Sequence, residues 1–195
     1  PPGEAGAGVG VCAGAGVGTA REGDVFGAAD VLIAQEQHPM REQQRLDFGE
    51  QASIVRGVAQ AAGKEQEQMT SFYREEFAAI PEMEIAAKNC YEMSGLTPDD
   101  IDAAVIYDAF SPIVLWQMEA WNFCGFGESG DFVLDGAMRP DGRLPTNTHG
   151  GQLSEAYIHG VNGIVEATRL VRGTSLNQPA KEVNHALVTS GVGIP

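Results

Sequence analysis

The stretch Asn147-Thr148-His149-Gly150-Gly151-Gln152-Leu153-Ser154-Glu155-Ala156-Tyr157-Ile158-His159-Gly160 gathers two imidazoles, a carboxylate and a phenol around a glycine pair. Glycines lack Cβ, so Gly150 and Gly151 suit a backbone that approaches a ligand closely. A second stretch, Ile106-Tyr107-Asp108-Ala109-Phe110-Ser111-Pro112, sets a phenol and a carboxylate between an apolar run and a helix start. Strand-to-helix junctions of this kind are where α/β folds place their chemistry. A phenol ionises near pH 10, so at neutral pH it is a hydrogen-bond donor, and it moves a proton only when that proton is already positioned. His149, Asp108 and His159 are candidates for orienting the phenols. At its spacing from Tyr157, His159 points away on a helix and reads as a supporting or surface residue.

Together the two stretches resemble the second half of the thiolase superfamily. The family's Asn-x-x-Gly-Gly leads into Gly-His-Pro, and with one residue of slack Tyr157 stands where that histidine would be. Ile106-Tyr107-Asp108-Ala109-Phe110 looks like the Asn-Glu-Ala-Phe or His-Asp-x-Phe element, with Tyr107 at its first position. Both partners of the thioester oxygen are thus replaced by phenols, a pattern similar to the lipid-transfer-protein-type aldolases that cleave steroid side chains from coenzyme A thioesters. Taken singly, Tyr107 and Tyr157 read as core aromatics with one satisfied hydroxyl; their joint placement turns the reading toward catalysis.

The resemblance covers roughly Val55 to Pro195. It implies an α/β, thiolase-like C-terminal half with a mixed β-sheet and buried helices, and retro-aldol cleavage of a β-hydroxyacyl-CoA. Its site would hold Tyr107 and Tyr157 as catalytic groups, with Asp108, His149, Gly150, Gly151, Thr189 and Gly191 around the substrate. The family's second cysteine falls at or next to Thr189 in Thr189-Ser190-Gly191-Val192-Gly193, so no thiol is present there for Claisen chemistry. No bound cofactor is implied; the substrate is itself the coenzyme A thioester. Homodimerisation and a small partner with a zinc ribbon and an oligonucleotide/oligosaccharide-binding-type barrel are implied as well. A thiolase-like acyltransferase and a non-catalytic lipid or acyl-CoA binding subunit are the alternatives. A lone half would expose apolar surface that its twin normally covers.

Net charge is −15, from 27 acidic and 12 basic residues, which repels phosphate backbones and argues against a nucleic-acid partner. No apolar run nears the roughly 18 residues of a membrane span, and the first residues have no signal-peptide pattern, so a cytoplasmic protein is expected. Cys12, Cys90 and Cys124 are an odd set without a CxxC pair, which disfavours a disulfide framework or structural zinc. Cys90 and Cys124 read as small buried hydrophobes. No metal-ligand spacing involves His38 or His185, and Asp99-Asp100-Asp102 reads as a solvated helix start.

Two segments are expected, 1–53 and 54–195. The first is a Gly/Ala-rich run to Ala20, then a weak pattern with a Gln/Glu-rich portion from Gln35 to Gln51, and is read as disordered or foreign to the fold. In the second, Ile54–Gln60 alternates like a strand, and Glu67–Tyr73 reads as a loop. Glu82–Ser94 is a predicted helix between Pro81 and Gly95, and Thr97-Pro98-Asp99-Asp100 is a capped short turn. Ala103–Tyr107 reads as a buried strand, Ser111 opens a helix that stops before Gly125, and Val183–Thr189 is a final core strand. A helix from Gly151 to about Arg172 is expected to bury Leu153, Tyr157, Val161, Ile164, Thr168 and Val171, with Ala156, Gly160, Gly163 and Ala167 in close contact elsewhere. It should be among the most buried helices, and on this reading a surface helix with Val161 and Ile164 exposed means that the thiolase-like fold fails.

Overall fold

The structure, a computed structural model, describes residues 30–35, 53–61, 79–155, 158 and 160–189. The expectations for the Gly/Ala-rich run, the Gln/Glu-rich portion from residue 36 onward, the loop at 67–73, Cys12, His38, Tyr157, His159 and Gly191 lie outside the described residues.

Among the described residues, four strands form one sheet in the order β2-β1-β4-β3: β1 (Asp30–Gln35), β2 (Ser53–Ala59), β3 (Ala103–Val105) and β4 (His185–Val188). The sheet is mixed, since β1 runs antiparallel to β2 and β4 while β3 and β4 are parallel. Side chains alternate across it. Leu32, Ala104 and Leu187 face one core with Met83, Cys90, Met118 and Trp121, and Val31, Ile33, Ala103, Val105, Ala186 and Val188 face a second with Ala167, Leu170 and Val171. Among the described residues, four helices complete the layers: α1 (Pro81–Ser94) and α2 (Ser111–Ala120) supply the first core, the short α3 (Ser129–Leu134) follows α2, and α4 (Val161–Val171) supplies the second.

Most of the elements follow the pattern read from the residues. Pro81 opens α1, whose end is closed by Gly95 at φ 71°, its N–H donating to the Tyr91 carbonyl at 2.9 Å. Thr97–Asp100 makes a single capped turn, with Thr97 N–H donating to the Asp100 carboxylate at 2.8 Å. That bond, together with the Thr97 hydroxyl, lowers the Asp100 carboxyl below its ordinary range. Asp102 has a different role from the solvated one expected: its carboxylate accepts the backbone N–H of Asn184 and His185, tying the start of β4 to that of β3. Cys90 is fully buried, and desolvation followed by the charge of Asp30 pushes its thiol up to about 12. Cys124 is half-buried, its thiol pushed up to about 11 by desolvation and then by Glu119 and Glu128.

Two findings depart from the sequence reading. The weak pattern from Arg21 to Ser53 contains β1, an inner strand of the sheet although it precedes residue 54. The helix expected from Gly151 begins only at Val161, because Gly150, Gly151 and Gly160 take left-handed φ values of 98°, 72° and 83° that no helix accommodates. Its buried face is also rotated from the one expected. Gly163, Glu166, Ala167 and Leu170 face inward, while Val161, Ile164 and Val165 are 52%, 37% and 43% exposed, so burial on both sides fails for this chain.

The small residues determine this orientation. A Cβ on Gly163 would stand 3.1 Å from Cγ1 of both Val105 and Val188, so the helix rests on the sheet where its side chain is missing. Gly163→Val should overpack this contact and lower stability by roughly 1–3 kcal/mol. Urea denaturation would read this as an earlier midpoint, and an unchanged midpoint would show that the contact is slack.

Candidate active site at the ends of the parallel strands

Three segments leave the sheet in the same direction. Strands β3 and β4 are parallel, and Thr146 bridges Ala104 in the same sense, so Tyr107, Thr189 and the turn after Asn147 all emerge past the C-terminal ends of neighbouring strands. Open α/β sheets bind their ligands at such ends. Backbone groups there have outrun the regular ladder and need other partners.

Side chains provide them. Asn147, at φ 51°, accepts the Ile106 N–H at its Oδ1 at 2.7 Å and donates from Nδ2 to the Ile106 carbonyl at 3.0 Å, so its amide acts as one more residue of an adjacent strand. The Tyr107 N–H donates to Thr189 Oγ1 at 2.9 Å, and the Thr189 hydroxyl donates to Gln117 Oε1 at 2.6 Å. Gln117 Nε2 closes the ring by donating to the Tyr107 carbonyl at 2.7 Å and to that of Ile113 at 3.0 Å. Gln117 and Thr189 are almost wholly buried, so these bonds form away from competing water.

Asp108 makes the next tie. Its Oδ1 accepts the Gln152 N–H at 2.7 Å, and a Cβ on Gly151 would fall 1.9 Å from its Oδ2, so only glycine lets this turn close over the carboxylate. Ile106 and Asp108 therefore bind residues on either side of His149–Gly151, and Tyr107 lies between them. Tyr107 itself is 6% exposed.

His149 differs from its neighbours. Its side chain is only 5% exposed, neither ring nitrogen has a hydrogen-bond partner, and Nε2 stands 3.8 Å from a Glu155 carboxylate oxygen. Glu155 accepts from Asn162 Nδ2 at 3.3 Å, and Asn162 Oδ1 is again buried and unpartnered. Next to this group the buried Glu166 of α4 accepts the hydroxyls of Thr148 and Ser175, each at 2.7 Å.

The structure thus brings together Tyr107, Asp108, His149, Gly150, Gly151 and Thr189 from the sequence-derived set; Tyr157 and Gly191 lie outside the described residues. Two of these side chains have partners within the chain: the Thr189 hydroxyl joins the Tyr107 N–H to Gln117, and the Asp108 carboxylate holds the glycine turn. Gln117 was not singled out from the sequence, although it is the one polar side chain in the apolar run Ile113–Met118. Among the described residues, no group of three or more His, Cys, Asp or Glu could hold a metal, and no helix is long and apolar enough to cross a membrane.

A mixed sheet between helices, with polar residues converging at the ends of its parallel strands, defines an α/β domain whose chemistry belongs at that edge. Residues 63–194 match the family model for thiolase C-terminal domain-like proteins, and the chain belongs to this family. It is 54% identical over 149 residues to the steroid side-chain-cleaving aldolase of Thermomonospora curvata and 49% identical over 149 residues to the 17-hydroxy-3-oxo-4-pregnene-20-carboxyl-CoA lyase of Mycobacterium tuberculosis. Each alignment covers 76% of this chain and 38% of the relative, so the chain spans well under half the length of these proteins. A solved structure of the Ltp2-ChsH2(DUF35) aldolase superposes with a TM-score of 0.69 at 57% identity, over 71% of this chain and 36% of that one. Exposure of Val161 and Ile164 accordingly does not count against the family.

The ring through Thr189 has a testable stability. Thr189→Val keeps the shape but strands the Tyr107 N–H, which should cost about 1–3 kcal/mol, while Thr189→Ser should recover most of it. Amide exchange at Tyr107 should speed up in the valine variant alone. Equal exchange in wild type and variant would show that the hydroxyl holds nothing.

Proposed function

We propose that this chain forms the C-terminal half of a carbon–carbon lyase that cleaves a β-hydroxyacyl-CoA by retro-aldol chemistry, in degradation of a steroid or related lipid side chain. The carrying observation is Thr189: at or next to the position where the family resemblance places a second cysteine there is a buried hydroxyl already committed to Tyr107 and Gln117. A Claisen-type acyl transfer that uses a second thiol there as its acid or base finds a threonine hydroxyl instead. The names of the two relatives near 50% identity, an aldolase and a CoA lyase, support the same direction. An acetyl-CoA acetyltransferase of Methanothermobacter thermautotrophicus is more distant, at 33% over 117 residues.

In the proposed reaction a base takes the β-hydroxyl proton, the Cα–Cβ bond breaks to leave a carbonyl and a thioester enolate, and an acid protonates Cα. Phenols at Tyr107 and Tyr157 supply hydrogen bonds to the enolate oxygen and the proton for carbon. The thioester is a substrate, and no resident cofactor is needed for these steps. The name of the superposed structure, Ltp2-ChsH2(DUF35) aldolase, supports a partner protein. That the partner is small, with a zinc ribbon and barrel, and that the assembly is a cytoplasmic homodimer, are further parts of the proposal. The apolar face of Val161, Ile164 and Val165 is the surface a first half would cover.

In the active assembly, Tyr107→Phe or Tyr157→Phe should preserve the fold and reduce cleavage by roughly 10²-fold or more, the worth of a positioned acid or base. The assay follows the ketone and the shortened acyl-CoA. Unimpaired cleavage in both variants, or acyl transfer to free coenzyme A as the main reaction, would reject the lyase reading.

A further inference from the structure

Gly150 and Gly151 have no side chains by which the rest of the molecule could hold them. Both take left-handed backbone angles, and a glycine pair ranges widely over such angles unless its flanks are fixed. The flank after the pair is fixed by Asp108, whose carboxylate accepts the Gln152 N–H at 2.7 Å. The flank before it is Thr148, which is gripped at two points. Its hydroxyl donates to Glu166 Oε1 at 2.7 Å, and its carbonyl accepts from Asn177 Nδ2 at 2.7 Å.

Glu166 is an unusual residue for its place. It is 3% exposed on the inward face of α4, where Gly163, Ala167 and Leu170 are its neighbours. Burying a carboxylate costs far more than burying an apolar side chain of similar size, so packing alone favours Leu or Met at this position. The two hydroxyls it accepts come from different segments, Thr148 of the glycine turn and Ser175 of the connection between α4 and β4. That connection is braced on the helix, since Ser175 N–H donates to Gln178 Oε1 at 3.3 Å and Gln178 Nε2 to the Leu170 carbonyl at 3.0 Å. The helix in turn rests on Val105 and Val188 at Gly163, on the face that carries Glu166.

We propose that Glu166 is a positioning residue of this site, fixing through the Thr148 hydroxyl where the glycine turn stands relative to Tyr107. A side chain buried this deeply acts through Thr148 and not on the substrate. It holds the turn from the helix side, while Asn147 and Asp108 hold the same turn from the end of β3. On the lyase reading above, on which this rests, the backbone of the turn lies against the thioester, and a displacement of about 1 Å there costs roughly 10²-fold in rate.

The test turns on Thr148→Val and Ser175→Ala. Each removes one hydroxyl from the same carboxylate oxygen, but only the first frees the glycine turn. In the active assembly Thr148→Val should lower kcat by roughly 10–10²-fold with KM almost unchanged, and Thr148→Ser should restore most of the loss. Ser175→Ala should stay close to the wild-type rate, with urea midpoints recorded to separate folding from turnover. Glu166→Gln keeps an oxygen that accepts both hydroxyls and should also stay close to wild type, whereas Glu166→Leu should behave as Thr148→Val. If Glu166→Leu does not fold, Thr148→Val carries the comparison. Equal losses in Thr148→Val and Ser175→Ala, a loss confined to KM, or a Glu166→Gln variant as impaired as Glu166→Leu would overturn the proposal. Hydrogen exchange at the Gln152 N–H, measured without substrate, is independent of turnover: it should speed up in Thr148→Val and not in Ser175→Ala, and equal rates in the two would overturn the proposal as well. If wild type cleaves no β-hydroxyacyl-CoA the lyase reading fails, and the Gln152 exchange still decides whether Glu166 holds the turn.

Discussion

The structure depends on how the backbone of Ile106 and Tyr107 is satisfied where strand β3 runs out. A chain that leaves a sheet toward a ligand site cannot keep its ladder partners, yet buried N–H and C=O groups cannot go unpaired without a penalty of about 1–3 kcal/mol each. Here the partners are side chains from three separate parts of the sequence: Asn147 on Ile106, Thr189 on the Tyr107 N–H and Gln117 on the Tyr107 carbonyl. One requirement of hydrogen bonding thereby assembles the site. The segments after β3, after Thr146 and after β4 are drawn together because each satisfies another.

The same requirement suits a hydroxyl at residue 189. A hydroxyl can accept one hydrogen bond and donate another, and Thr189 does both at 2.9 and 2.6 Å. A thiol is a weak partner in either role. The threonine thus gives Tyr107 a partner that a thiol would hold less well. Asp108 and Gly151 extend this logic to the glycine turn, whose left-handed backbone and missing Cβ let the carboxylate close against it.

Much of this was legible in the residues, for local reasons. The Pro81–Gly95 helix, the short turn at Thr97, the buried strand before Tyr107 and the final strand each carry their own boundaries in prolines, glycines and apolar runs. Strand β1 was not legible, because Asp30-Val31-Leu32-Ile33-Ala34 is a short apolar run whose identity comes from pairing with β2 and β4, both distant in sequence. The helix after Gly151 was over-extended because spacing alone does not register three left-handed glycines. Its inward face was misjudged because Glu166 and Asn162, polar residues, are buried there by partners that sequence spacing cannot supply. Motif residues were found together, while the reason for their convergence lay in Gln117 and in the amide of Asn147.

In the proposed reaction the fastened end of β3 presents Tyr107 to the thioester of an acyl-CoA. A crystal structure of the active assembly with a non-cleavable β-hydroxyacyl-CoA analogue bound would show this contact. The thioester oxygen is expected within hydrogen-bonding reach of the Tyr107 hydroxyl, about 3 Å, with the Thr189–Gln117 ring intact behind it. A thioester bound elsewhere on the domain, or at Thr189 with the ring broken, would contradict it.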